Sequence, residues 1–199
     1  FGKLRLLIVS SRFYSQIKIR NMKKYDVIYA DPAWRYDFSK SNSREIENQY
    51  PTMTIEEICA LKVPAKDNAV LYMWATAPKL LEAIKVLNAW GFEYKTQAIW
   101  DKEIIGMGYW FRGQHEILIV ATKGKFSPPE QPLRISSVIK EKRTKHSKKP
   151  IYVRDMIEQW FPNAERLEMF ARTSGENWDV WGNEAEGSVN LEQYRSYCP

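Results

Sequence analysis

The chain has 199 residues, of which 44% are hydrophobic, 14% aromatic and 27% charged, and its formal net charge is +6. This composition excludes a low-complexity or disordered protein, and no apolar run approaches the roughly 20 residues that span a bilayer. Its two cysteines are too few for a disulfide framework or a four-ligand zinc site, so we expect a cytoplasmic protein without a bound metal or membrane partner.

The first segment of the chain carries most of the net charge. Residues 1–24 contain seven basic residues and no acidic one, so the rest of the chain has a charge of about −1. Met22 stands directly before a strand-like run. We therefore interpret residues 1–21 as an appendage or truncated N-terminal element, and residues 22–199 as a single domain.

Strand-like and helix-like patterns alternate along this domain. Strands are indicated by short apolar runs rich in β-branched and aromatic residues, and helices by N-cap signals, by proline in the first turn and by apolar spacing of three or four residues. In chain order we predict a strand at 25–30, a short helix from Thr54 to before Pro64, a strand at 68–74, a helix from Ala77 to Gly91, strands at 92–100 and 116–122, a helix at 150–160 and a strand at 166–171. The pattern predicts an α/β fold, with a mostly parallel sheet covered by helices on both faces.

Two segments between these elements are polar. Residues 35–50 show no periodicity and are long for a connection, which is typical of functional loops. Residues 140–149, hereafter the basic segment, contain six basic residues against the single acid Glu141. A basic segment of this kind suits contact with phosphates, a solvated loop being the alternative, and it contains no aromatic residue.

Several chemically useful side chains follow predicted strands. Because ligands of open α/β sheets bind beyond the carboxyl ends of the strands, Asp31, Trp74, Lys102 and Arg172 are expected to converge on one crevice. For tryptophans at such positions, packing in the core is more frequent than stacking on a base. We therefore expect Trp74, Trp90 and Trp100 to lie in the core.

The sharpest local motif is Asp31-Pro32-Ala33-Trp34, directly after the first strand. A carboxylate and a neighbouring backbone carbonyl offer two acceptors to an exocyclic amine such as adenine N6, and an indole ring offers a stacking face. Accepting hydrogen bonds from the amine favours a nucleophilic nitrogen, as methyl transfer requires. Taken alone, the motif is as compatible with a plain strand terminator.

Eight segments in order make the chain resemble the MT-A70-like family of S-adenosylmethionine-dependent adenine-N6 methyltransferases, in its bacterial or phage form. They cover about 160 residues and read DVIYADPAW, YPTMTIEEICAL, AVLYMWATAP, LNAWGFEYKTQAIWDK, GYWFRGQHEILIVATKG, SKKP, LEMFAR and WDVWGNE. The resemblance implies a Rossmann-like methyltransferase fold for residues 22–199 and S-adenosylmethionine as the cofactor. Ala33 replaces the second proline of the family's tetrapeptide, a change we expect to be tolerated.

The resemblance also implies roles for individual residues. Asp31 and the Pro32 carbonyl would receive the adenine amine, with Trp34 against the base, and Lys149 would approach the methionine carboxylate of the cofactor. Asp31, Arg172, Asn183 and Glu184 complete the expected cofactor site. The residues expected to contact the nucleic acid are Arg35, Arg112, His115, Glu116, Lys142, Arg143 and Lys145. For His115 and Glu116, an ordinary strand-edge position is the competing interpretation.

We therefore expect methyl transfer to adenine N6 in a nucleic acid, with DNA preferred over RNA. A non-catalytic nucleic-acid-binding subunit of the same fold is the main alternative, and the retained Asp31 argues against it. Methylation of a protein amide is disfavoured, because similar tetrapeptides for that reaction begin with Asn. Whether the chain forms a homodimer or heterodimer stays open.

Overall fold

The computed structural model describes residues 23–36, 52–144, 148–182, 185 and 189–191. In these residues the chain forms one seven-stranded sheet and three α-helices. The strands are β1 (Tyr25–Ala30), β2 (Ala65–Ala75), β3 (Glu93–Asp101), β4 (His115–Lys123), β5 (Val138–Lys140), β6 (Arg166–Met169) and β7 (Asp179–Trp181). The helices are α1 (Ile55–Ala60), α2 (Leu80–Ala89), which a 3-10 turn at Ala77–Lys79 precedes, and α3 (Ile151–Trp160).

The order of strands across the sheet is β5-β3-β4-β2-β1-β6-β7. β1 pairs in parallel with β2 and β6, β3 with β5, and β6 with β7, whereas β4 is antiparallel to both β2 and β3. The carboxyl ends of six strands therefore meet the amino end of β4 at one edge of the sheet, hereafter the carboxyl edge. The predicted α/β, Rossmann-like architecture with a mostly parallel sheet is confirmed.

Both faces of the sheet are covered, and each cover forms a hydrophobic core. On one face Ile58 of α1 and Val86 and Leu87 of α2 are fully buried against the strands. On the other face Val153 and Ile157 of α3 pack against the sheet. The central strand β2 contributes to both cores, which explains why its second half is almost entirely apolar.

The predicted starts of two helices agree closely with the structure. Thr54 caps α1 in a capping box: its side chain accepts from the Glu57 backbone N–H, and the Glu57 carboxylate accepts from the Thr54 backbone N–H. Pro150 is the residue before the first turn of α3. Gly91, which was predicted to close α2, has a φ of +80°, a conformation that glycine adopts without strain.

The sequence patterns missed two strands and misplaced one helical residue. β5 and β7 are only three residues long, too short for an alternating pattern to be recognised. The last residue of β5, Lys140, is the first residue of the basic segment. Leu81, one of the apolar residues whose helical spacing predicts the helix from Ala77 to Gly91, is 75% exposed, because the helix turns its Ala83, Val86 and Leu87 toward the sheet.

The predicted core tryptophans are buried. Trp74 is completely inaccessible, and its indole N–H donates to the Tyr29 hydroxyl over 2.6 Å. Its ring meets that of Trp100 edge-on, with the centroids 5.9 Å apart. Trp90 is also buried, and its indole N–H donates to the Ile58 carbonyl. Core packing of these three rings is confirmed.

A cavity of about 590 Å³ lies between the sheet and the segment that follows β4. Tyr72, Val120, Phe126 and Trp160 are among its lining residues, and none of the predicted site residues is. No helix in the described part of the chain is long and apolar enough to cross a membrane. Residues 1–21 lie outside the described residues, so the proposed division into appendage and domain stays a prediction.

Candidate active site

The sheet topology brings three of the predicted site residues together at the carboxyl edge. Asp31 directly follows β1, Glu116 is the second residue of β4, and Lys149 directly precedes the proline that caps α3. Glu116 belongs to this edge only because β4 runs antiparallel to its neighbours. Arg172 follows the end of β6, and its charge acts on Asp31. Of the four residues expected to converge beyond the strand ends, Asp31 and Arg172 thus lie at the carboxyl edge.

Four of the side chains at this edge form a row of alternating charge, hereafter the charge row. Lys149 Nζ lies 2.7 Å from Asp31 Oδ2 and 3.4 Å from Glu116 Oε2. Glu116 Oε1 in turn lies 3.4 Å from Lys102 Nζ. All four side chains are at most 24% exposed, so each charge depends on its neighbours for the solvation that it lacks.

Burial and pairing shift the pKa values of the central pair. Burial raises the pKa of Asp31, and Lys149 and Arg172 oppose this shift without cancelling it. For Lys149, burial by itself disfavours the charged form, but Asp31 and Glu116 outweigh it and raise the pKa. Lys149 therefore keeps its charge at neutral pH, while Asp31 is a stronger proton acceptor than an ordinary aspartate.

The segment after Asp31 is held in place by hydrogen bonds of its own. The Trp34 backbone N–H donates to the Pro32 carbonyl over 2.8 Å, which closes a three-residue turn. The Ala33 carbonyl accepts from the Met53 backbone N–H, and the Trp34 indole N–H donates to the Trp74 carbonyl over 3.2 Å. These bonds tie the tetrapeptide to β2 and to the residues before α1, so Asp31 is presented from a fixed backbone.

The MT-A70 family model matches residues 25–184, which include every element and side chain of this site. The chain belongs to the MT-A70 family. The resemblance carried by the eight sequence segments is thereby confirmed, and with it the expectation of an adenine-N6 methyltransferase. Enzymes of this family use S-adenosylmethionine as the methyl donor.

Characterised relatives of the MT-A70 chain fall into two groups. It is 37% identical over 183 residues to the type II methyltransferase M.MunI of a Mycoplasma species, an alignment that covers 81% of this chain and 78% of the relative. It is 30% identical over 175 residues to the N(6)-adenosine-methyltransferase catalytic subunit METTL3 of Homo sapiens, covering 82% of this chain. The chain spans only 29% of the length of METTL3. A Drosophila melanogaster N(6)-adenosine-methyltransferase MT-A70-like protein is 29% identical, with 82% of this chain and 27% of the relative covered.

Trp34 lies in the core rather than in the crevice, against the expectation that its ring faces the base. Only 4% of the residue is exposed, and it packs in the cluster that includes Ile58 and Met73. The sequence motif could not distinguish the two positions, because an indole that ends a strand can turn toward either side. In the structure of this MT-A70 protein, Trp34 positions the segment that carries Asp31.

Trp34→Phe is therefore expected to lower the stability of the protein. The change keeps an aromatic face but removes the indole N–H, so the buried Trp74 carbonyl loses its donor, at a cost of about 1–3 kcal/mol. Urea denaturation followed by circular dichroism measures the loss. A variant as stable as the wild type but with weakened substrate binding would instead support the stacking role.

The remaining predicted residues that the structure describes are not members of the charge row. Arg35 and His115 are exposed, and Arg112 Nε donates to the Gly106 carbonyl within the loop between β3 and β4. Lys142 is exposed, and Arg143 is half-buried next to Lys102, whose carbonyl accepts its backbone N–H. Three further predicted contacts, Lys145, Asn183 and Glu184, lie outside the described residues.

Sequence reasoning did not foresee how Lys149 is paired. It was expected to approach a cofactor carboxylate, whereas in the structure its nearest partner is the carboxylate of Asp31. Lys102, noted only for following a strand, is the second cation of the charge row. The one sequence signal for this pairing is the position of each lysine next to an element. Lys102 directly follows β3, and Lys149 directly precedes the proline that caps α3.

The donor set at this edge fits the charged end of S-adenosylmethionine. Lys149 and Arg172 are cations near Asp31 at the carboxyl edge, and their chemistry suits a carboxylate. Gly182 allows close backbone approach between the chain after β7 and the chain after β6, since a Cβ there would overlap the Ala171 backbone. The residues present are therefore compatible with the cofactor of the MT-A70 family.

Proposed function

We propose that this chain transfers the methyl group of S-adenosylmethionine to the N6 amine of adenine in DNA, with Asp31 as the catalytic residue. The observation that carries the proposal is the Asp31 carboxylate, which sits at the carboxyl edge on a fixed backbone with a raised pKa.

Asp31 is proposed to act on the amine by accepting its hydrogen bonds. Attack by the N6 nitrogen requires its lone pair, which is otherwise delocalised into the purine ring. A carboxylate that accepts from N–H localises that lone pair and stabilises the positive charge that grows on nitrogen during transfer. Because the pKa of Asp31 is raised, its carboxylate is a better acceptor, and a better receiver of the proton that leaves, than an ordinary aspartate.

The Pro32 carbonyl is proposed as the second acceptor. It already accepts the Trp34 backbone N–H, but a carbonyl oxygen has two lone pairs and can accept a second bond. The two proposed acceptors, the Asp31 carboxylate and the Pro32 carbonyl, belong to adjacent residues at this turn. Two acceptors on one short, tied segment would favour an exocyclic NH₂ group, which donates, over an exocyclic carbonyl oxygen, which only accepts.

Lys149 and Arg172 are proposed to hold the carboxylate of the cofactor, which when bound supplies an electrophilic methyl group. Lys149 would then serve two partners, since it also keeps Asp31 ionised and oriented. Asn183 and Glu184 remain proposed contacts of the cofactor, and Arg35, Arg112, His115, Glu116, Lys142, Arg143 and Lys145 remain proposed contacts of the nucleic acid.

DNA is the proposed substrate because of the pattern of similarity. The chain is more similar to a type II methyltransferase, and over most of that relative's length, than to METTL3, whose name specifies adenosine, a ribonucleoside. A paired adenine in duplex DNA would have to leave the stack to reach Asp31, so a single strand is the less demanding substrate.

The test is to incubate the protein with isotopically labelled S-adenosylmethionine and with matched DNA and RNA oligonucleotides, and then to analyse the nucleosides by mass spectrometry. We expect N6-methyl-2′-deoxyadenosine from DNA in excess over N6-methyladenosine from RNA. Cofactor binding is measured in parallel by calorimetry. Bound cofactor without methylation of either substrate would contradict the proposal and favour a non-catalytic subunit.

A further inference from the structure

The loop between β3 and β4 presents large apolar side chains to solvent. Tyr109, Trp110 and Phe111, hereafter the aromatic tip, are 105%, 95% and 91% exposed, and Met107 beside them is 85% exposed. Isolated apolar side chains on a surface need no explanation, but three consecutive aromatic residues without cover are a costly arrangement in water. A binding partner is the usual reason for such a patch.

This loop has a closed geometry that holds the aromatic tip outward. The Gly106 N–H donates to the Gly113 carbonyl over 2.9 Å, and the Gly113 N–H donates to the Met107 carbonyl over 3.1 Å. Arg112 Nε ties the loop again by donating to the Gly106 carbonyl over 2.6 Å. The backbone is so close here that a Cβ at Gly108 would overlap the Phe111 carbonyl. These bonds tie the backbone on both sides of the aromatic tip.

Residues 140–143 of the basic segment lie directly beside the base of this loop. The Glu141 and Arg143 backbone N–H groups donate to the carbonyls of Asp101 and Lys102, and Trp100 Nε1 donates to the Glu141 carbonyl over 2.8 Å. The exposed cations Lys140 and Lys142 are therefore neighbours of the loop, although aromatic residues are absent from the basic segment itself. Tertiary structure thus supplies the aromatic residues that the basic segment lacks.

The other end of the same loop leads into the charge row. Gln114 Nε2 donates to Asp101 Oδ1 over 2.8 Å, and two residues later Glu116 meets Lys149. The loop that carries the aromatic tip, residues 140–143 and Asp31 consequently lie at one edge of the sheet. A nucleic-acid strand that places an adenine at Asp31 would bring its neighbouring nucleotides toward the loop.

We propose that the aromatic tip stacks on unpaired bases next to the target adenine, while the cations of residues 140–143 contact the phosphates of the same nucleic-acid strand. The inference rests on the proposed function, and it assigns the substrate class as a single-stranded or locally opened nucleic acid. Aromatic side chains combined with a cationic track are the arrangement by which proteins bind such strands without reading every base.

A nucleic acid is favoured over a second copy of this chain as the partner. Contact between two copies through this edge would bring Lys140, Lys142 and Arg112 of each copy toward their counterparts, a like-charge arrangement. A polyanion instead meets these cations with opposite charge. Its bases also have flat faces that match indole and phenyl rings.

The experiment measures binding of a single-stranded oligonucleotide by fluorescence anisotropy, without cofactor, at a series of salt concentrations. The first variant combines the three substitutions Tyr109→Ser, Trp110→Ser and Phe111→Ser. A milder variant carries Trp110→Ser alone. The second is Lys142→Ser, Arg143→Ser. Leu81→Ser, which changes an exposed apolar residue of α2, is the matched control. Steady-state kinetics on the same oligonucleotide give kcat and KM.

The two variants should fail in different ways. Loss of the aromatic tip is expected to raise the dissociation constant and KM about 10- to 100-fold, with an unchanged dependence on salt. Loss of two cations is expected to weaken binding and flatten the salt dependence, by roughly 0.7 per lost contact in the logarithmic slope. Leu81→Ser should match the wild type.

Unchanged binding by the aromatic variants would overturn the inference, and so would a wild type that does not bind the strand. If sedimentation shows a wild-type dimer that these variants dissociate while binding stays normal, the aromatic tip is a subunit contact and the inference is wrong. These outcomes are independent of the proposed function, which fails instead when a protein that binds cofactor methylates neither DNA nor RNA.

Discussion

Replacing Asp31 with Asn is expected to lower the rate of methyl transfer by about 1,000-fold while leaving the fold and the affinity for S-adenosylmethionine nearly unchanged. The Asn side chain has almost the same shape, but its NH₂ group donates where the carboxylate accepted, and its oxygen carries no full charge. Lys149 keeps Glu116 as a partner, so the fold retains its neighbouring contacts. Single-turnover methylation of an oligonucleotide, with calorimetry for the cofactor, measures both effects.

Asp26 provides the matched control for this change. It lies at the opposite end of β1, where its Oδ2 accepts from Lys66 Nζ and from the Glu165 backbone N–H. Asp26→Asn therefore removes a half-buried, hydrogen-bonded carboxylate from the same strand without touching the carboxyl edge. Its stability should fall somewhat, and its rate should not. A wild-type rate in Asp31→Asn would show that the assigned catalytic residue is wrong, even if the product is N6-methyladenine.

Lys149→Met is expected to reduce kcat/KM near neutral pH by about 100-fold, because the group that orients Asp31 is removed. Asp31 and Glu116 would then be two poorly solvated carboxylates without their shared cation. Each disfavours the charge of the other, so the pKa of Asp31 should rise further. In the wild type, kcat/KM falls as the pH drops through the raised pKa of Asp31, since the protonated acid cannot accept from the amine. In the variant this loss should begin at higher pH.

Lys148→Met is the matched control, since it removes a neighbouring lysine that is exposed. Its pH profile should coincide with that of the wild type, whereas Lys149→Arg should recover part of the lost activity by restoring the positive charge. The affinity for S-adenosylmethionine, measured separately, reports the second proposed role of Lys149. An acid limb that stays at the wild-type pH in Lys149→Met would contradict the pairing as the cause of the activity loss.

The elements with strong local signals could be predicted from the sequence with good boundaries. β1 reads as an apolar run ended by Asp31-Pro32, and α1 carries a capping box at Thr54, so short-range chemistry specifies both. β5 escaped detection because three residues contain no period, and because Lys140 lies in a segment dominated by charge. Its pairing with β3 over a distance of some forty residues leaves no trace in the local sequence.

The residue composition of the site could also be anticipated, but not its internal pairing. Asp31, Glu116 and Lys149 were each singled out from motifs and family resemblance, and the structure brings all three together. The position of Trp34 depended on which side of the sheet edge its ring would turn to. That choice follows from the Trp74 carbonyl and the core around it, which lie far away in the sequence.

By itself, the sequence determined the α/β class, the family and the acid at the end of β1, because strand patterns, caps and ordered motifs are local properties of the chain. The +6 net charge carried little of this information, since it comes mostly from residues 1–24. Only the tertiary structure decided that the antiparallel β4 brings Glu116 to Lys149, and that the pairing of β5 with β3 sets residues 140–143 beside the base of the loop that carries the aromatic tip. Both depend on long-range strand pairing, where the free energy comes from burial and hydrogen bonds between segments that no local pattern connects.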